Sequence, residues 1–146
     1  MIKKILYGLL FVLIVIQFVR PERNVGDDTT TLEFEKQYVS SAEMVSVLKE
    51  SCYDCHSNNT RYPWYSNIQP IGWWLQDHIK HGKGHLNFSE FLTYPEKKAK
   101  HKFEEIEEMV GDDEMPLPSY LIVHRNAKLT PEQKQGIVAW AGSLKK

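Results

Sequence analysis

Cysteine is scarce: Cys52 and Cys55 are the only two in 146 residues, so no four-cysteine zinc or iron–sulfur site can be completed within the chain. There is no basic excess either. Eighteen Lys and Arg stand against nineteen Asp and Glu, a formal net charge of −1, which leaves no cationic surplus for a nucleic-acid backbone. No segment alternates apolar and polar residues over strand length, so a sheet has no support in the pattern. Internal repeats and low-complexity tracts are also missing, which leaves one ordinary globular unit, in keeping with 42% hydrophobic residues.

Long apolar runs are missing everywhere except at the N-terminus. Lys3 and Lys4 precede an apolar run over residues 5–19, interrupted by Gln17 and ended by Arg20-Pro21. About fifteen apolar residues match a signal-peptide core, but no small-x-small cleavage site follows. Residues 1–20 are therefore expected to be an uncleaved, single-pass signal anchor, with Ile2 and the lysine stems completing a membrane helix. Lys3 and Lys4 are balanced by Arg20 and Arg23 on the other side, so charge does not settle the orientation. Residues 21–38, polar at first and carrying Gly26-Asp27-Asp28, read as a linker. Residues 39–146 are expected to form the folded domain.

Within that domain the periodicity is helical, and the fold class is all-α. A first helix starts near Ser40, where Ser40 and Glu43 have capping-box spacing, and runs through Val45, Leu48 and Cys52 on one stripe. A second spans residues 71–80, with Ile71, Trp74, Leu75, His78 and Ile79 near one face and Gly82 and Gly84 as its stop. A third begins at Tyr94-Pro95, turns Ala99, Phe103, Ile106 and Val110 inward, and ends at Gly111. The last has Thr130 as cap, Pro131 next and Gln133 at the third position, then buries Ile137, Trp140, Ala141 and Leu144.

Cys52-Tyr53-Asp54-Cys55-His56 has the C-x-x-C-H pattern of covalent haem attachment. Two cysteines three positions apart project to one side of a helical turn, where their sulfurs reach the two vinyl groups of one porphyrin. His56 then faces the iron as proximal ligand. Two rivals remain open: a zinc site, which would have to recruit histidines, and a redox dithiol, which normally opens a helix after a strand rather than closing one.

For the other side of the iron, Met115 in Met115-Pro116-Leu117-Pro118 is the first choice, because a loop thioether is a soft ligand that favours ferrous iron. Its bland alternative is a hydrophobic plug. Met109 reads as core, His78 as a core histidine, and His81, His85 and His101 as exposed; His124, after residues 120–123, is placed to contact a propionate or approach the iron. The chain is 12% aromatic with four tryptophans, and Trp64 and Trp74 are candidate pocket walls.

Cys52-Tyr53-Asp54-Cys55-His56-Ser57, Pro63-Trp64-Tyr65-Ser66, Asn87-Phe88-Ser89, Met115-Pro116 with Tyr120 and His124, and Leu129-Thr130 with Trp140 together resemble the small bacterial haem-binding domain family, related to cytochrome c and typically found behind an N-terminal membrane anchor. The resemblance covers residues 45–144. It implies a cytochrome c-like helical fold around one covalent haem c, with Cys52 and Cys55 as attachment residues and His56 as axial ligand, but no reaction. The function expected is single-electron transfer by a monohaem c-type domain between redox partner proteins. The domain would sit on the periplasmic side of a bacterial cytoplasmic membrane, because haem attachment takes place there. An open-site haem protein of peroxidase-like or sensor type is the alternative, and a zinc or dithiol protein a more distant one.

Overall fold

The computed structural model describes residues 1–145, and its regular structure is helical throughout. In chain order the helices are α1 (Ile2–Ile16), α2 (Thr29–Tyr38), α3 (Ala42–Ser51), the single turn α4 (Tyr53–His56), α5 (Ile71–His85), α6 (Glu96–Gly111), the single turn α7 (Pro118–Leu121) and α8 (Pro131–Leu144). Short 3₁₀ turns lie at Trp64–Asn67, Phe91–Thr93 and Arg125–Ala127. Among the described residues there is no strand, only an isolated bridge between Val25 and Asn59.

Local chemistry explains where several helices begin. Gln133 N donates to Thr130 Oγ1 at 3.2 Å while Thr130 N donates to Gln133 Oε1 at 2.9 Å, closing the capping box that opens α8. At α3 the cap is Ser41, one residue later than expected, with Met44 N donating to its hydroxyl at 3.3 Å. Helix α5 runs through Gly82 and Gly84 instead of stopping, because Gly82 serves packing: a Cβ there would lie 2.8 Å from the Cys55 carbonyl oxygen.

The core is aromatic. Phe34, Phe88, Phe91 and Phe103 are all but inaccessible, and Phe34 has ring centroids of Phe88 and Phe91 each 5.0 Å away. Trp140 from α8 meets Phe103 edge-on at 5.6 Å and donates its indole N–H to the Tyr38 carbonyl at 2.8 Å. Burying side chains of this size stabilises the fold by about 1.5–3 kcal/mol each.

Two expectations need correction. The segment 21–38 is not a free linker: it folds into α2, whose Phe34 sits at the centre of the core, and the stretch before it is sewn to the domain by Asn24. Asn24 N donates to Tyr62 Oη (2.7 Å), its amide donates to the Ser57 carbonyl (2.8 Å) and Thr60 Oγ1 (2.9 Å), and its Oδ1 accepts from Lys83 Nζ (2.6 Å). Nor does the expected membrane-spanning helix form. Helix α1 has 15 residues, about 22 Å at 1.5 Å per residue, against a hydrocarbon core of about 30 Å. No helix among the described residues is long and apolar enough to cross a membrane. It ends at Ile16 because Gln17 turns to the domain, donating to the Leu13 and Gln69 carbonyls and accepting from Gln69 N at 2.9 Å. None of its side chains is buried.

Candidate functional site

Helix α3 breaks at Cys52, whose φ of −125° and ψ of −46° leave the helical region, and the single turn α4 follows directly. The turn that follows is held from several directions. Cys55 N and His56 N donate to the Cys52 carbonyl at 3.2 and 3.0 Å. The Asp54 carboxylate, nearly buried, accepts from Arg61 N and Nε at 3.1 Å each and from Tyr120 Oη at 2.9 Å. Gly82 lets α5 approach the Cys55 backbone. Phe88 N donates to the His56 carbonyl at 2.8 Å.

The His56 ring is oriented by its outer nitrogen. Nδ1 lies 3.0 Å from the Leu86 carbonyl oxygen, and since a carbonyl only accepts, Nδ1 carries the proton and Nε2 keeps its lone pair. Burial holds the pKa of this imidazole below its ordinary value, against the opposing pull of the Leu86 carbonyl. The side chain is therefore a neutral nitrogen donor.

Cys52, Cys55 and His56 line a cavity of about 580 Å³, within the range of about 300–1,000 Å³ usual for sites that enclose an organic ligand. Its walls are mainly apolar, with Leu48, Leu86, Phe88 and Ile106 among them, and Met109, Met115, Leu117 and Tyr120 also face it. Met115 is set by the end of α6: its N–H and that of Glu114 both donate to the Met109 carbonyl, at 3.1 and 2.9 Å. The cavity also takes in His78, His81 and His85 from one face of α5, and Lys102 and Glu105 from α6.

Both cysteines are free thiols. Burial pushes the Cys52 thiol up to about 12 and the Cys55 thiol up to about 11, the latter also raised by the Asp54 charge. Such groups stay protonated at neutral pH, the opposite of the thiolate that a redox dithiol needs. Zinc fares no better, since among the described residues no three His, Cys, Asp or Glu side chains converge to hold a metal ion.

Cys52, Cys55, His56 and Met115 thus share one cavity, but the tryptophans proposed as its walls do not. Trp64 is 76% exposed and Trp74 48% exposed, and neither lines the cavity; Trp64 starts a surface 3₁₀ turn and Trp74 meets His78 at a tilt of 48° with ring centroids 4.2 Å apart. The enclosing role falls to Phe88, Leu86 and their neighbours. His78, His81 and His85, read as core or exposed, line the cavity, as does Met109. His124 does not: it stacks on Tyr120 at 4.1 Å and bonds Tyr65 Oη at 2.5 Å. Gly82 was expected to end a helix and instead admits the Cys55 backbone, while Asp54 and the Leu86 carbonyl leave no pattern along the chain that marks them as braces of the turn.

Two thiols, a neutral imidazole and a thioether around one apolar cavity are a donor set that fits a haem. The model of the haem-binding domain family matches residues 11–143. No curated protein and no solved structure matches the chain.

Proposed function

The chain belongs to the haem-binding domain family and binds haem, and from that premise we propose that it carries one covalent haem c and transfers single electrons between redox partner proteins. Cys52 and Cys55 would hold the group through thioether links from their two sulfurs, which face the same cavity. His56 would supply the nitrogen donor to the iron through Nε2, with the Leu86 carbonyl orienting the ring and raising its basicity. Met115 would supply the second donor, a soft thioether that favours ferrous iron.

When bound, the haem supplies the one-electron couple of its iron. The chain's part is to ligate, to exclude water with Leu48, Phe88 and Ile106, and so to disfavour the extra positive charge of the ferric state. The protein makes and breaks no substrate bond. Helix α1, apolar and exposed along its length, tethers the domain to the outer face of a bacterial cytoplasmic membrane, the side on which haem is attached.

The observation that carries this reading is the convergence of both sulfurs, His56 and Met115 on one apolar cavity. Expression in a host with haem-attachment machinery should yield protein heavier by one haem. Cys52→Ser with Cys55→Ser should abolish that added mass and leave all haem extractable by acid acetone. Met115→Ala should convert a low-spin six-coordinate spectrum to a five-coordinate or water-ligated one. An unaltered spectrum would remove Met115 and pass the distal position to His78, His81 or His85.

A further inference from the structure

Exposed large apolar side chains are unevenly spread over the folded part of the chain. Beyond Val19 there are nine, and six of them, Trp64, Ile68, Ile71, Trp74, Ile122 and Val123, belong to two neighbouring segments. Four lie in residues 64–74, where the 3₁₀ turn packs so closely on the start of α5 that a Cβ at Gly72 would collide with the Ser66 carbonyl. The other two precede His124, which is bonded to Tyr65, the residue after Trp64. An indole that is 76% exposed, as Trp64 is, is unusual on a surface that meets only water.

The same 64–74 stretch receives the end of α1. Gln17 and Gln69 exchange hydrogen bonds, Gln17 Nε2 to the Gln69 carbonyl at 3.0 Å and Gln69 N to Gln17 Oε1 at 2.9 Å, and Trp73 donates its indole N–H to the Val19 carbonyl at 2.7 Å. The apolar helix and the apolar face are therefore fixed to each other. Arg20 and Arg23, both exposed, lie just beyond that junction, where cations complement anionic headgroups. Indoles and aliphatic side chains beside such cations suit the boundary between headgroups and acyl chains.

We propose that Trp64, Ile68, Ile71 and Trp74, extended by Ile122 and Val123, form a face that rests on an anionic phospholipid bilayer and holds the haem domain in one orientation against it. This rests on the tethering by α1 given above. It assigns the two tryptophans to lipid rather than to the haem.

The test uses the full-length haem-loaded protein on vesicles of phosphatidylethanolamine and phosphatidylglycerol, with and without bromine on the acyl chains. Comparing the two vesicle types cancels emission lost to the haem. Tryptophan emission should fall with bromine, and Trp64→Phe with Trp74→Phe should remove more than half of that fall while the variant still floats with the vesicles and keeps its haem spectrum. A wild type that floats but shows no bromine quenching beyond that of the double variant would overturn the face and leave the tether standing. A wild type that does not float would overturn the tether and the face with it.

Discussion

The attachment turn and the methionine loop border one cavity and are held by different means. The turn Cys52–His56 is gripped by Arg61 and Tyr120 through Asp54, by Gly82 against Cys55, by Leu86 and Phe88 at His56, and, just past it, by Asn24 at Ser57 and Thr60. Met115 has its own N–H tied to the end of α6, and the Tyr120–Asp54 bond is the polar strut that joins its loop to the turn. With His56 and Met115 as the proposed iron donors, a donor braced from many sides and one braced from few would leave the Met115 side the adjustable one.

Loss of the braced side should be the most severe change. His56→Ala should leave the haem attached by its sulfurs while altering the absorption spectrum and lowering the midpoint of thermal unfolding; an unchanged low-spin spectrum would mean that another residue is the axial donor.

Next is the helix contact behind the turn. Gly82→Ala places a methyl group 2.8 Å from the Cys55 carbonyl oxygen, which should cost about 1–3 kcal/mol in denaturant unfolding. Gly84→Ala, with nothing within 4 Å, should be neutral or stabilising by at most about 1 kcal/mol. Equal effects at the two glycines would show that α5 does not press on the attachment turn.

On the distal side, Tyr120→Phe removes the donor to the Asp54 carboxylate. The cost should be about 1.5–3 kcal/mol, the range for a hydrogen bond to a charged group, and carbon monoxide should bind the reduced protein faster as the loop loosens. Unchanged gas binding would place the strut outside the control of the distal position.

The smallest expected effect is one of pH. Burial holds the His124 pKa below its ordinary value, with the Asp54 charge opposing and the Arg61 charge adding to the shift. A folded-state pKa below the unfolded value of about 6.5 means that stability from neutral His124 is complete above about pH 6.5. It is lost as pH falls through the folded-state pKa, because burial disfavours the charged imidazolium. His124→Gln should flatten the change in thermal midpoint between about pH 7.5 and pH 5; a wild-type midpoint that does not fall over that range would contradict the assignment.

Legibility followed the range of the interactions. The α8 capping box needs only Thr130 and Gln133, and the helical stripe through Phe103, Ile106 and Val110 needs only one helix, so both were readable. Phe34 carries no local signal of burial, because its partners, Phe88 and Phe91, lie far along the chain and its sequence neighbours are polar. Trp64 and Trp74 were misassigned because aromatic content says nothing about which way a ring faces.

By itself, the order of residues determined that the chain is helical, that two sulfurs and an imidazole stand together at positions 52, 55 and 56, and that an apolar segment leads the domain. These depend on neighbours within a turn or two, and spacing encodes them directly. Tertiary structure alone decided that Met115 and three α5 histidines face the same cavity as that turn, that α2 brings Phe34 into the core, and that Trp64 and Trp74 stay outside the cavity. Such outcomes arise when remote surfaces are packed together to bury apolar area, and no local period records which surfaces meet.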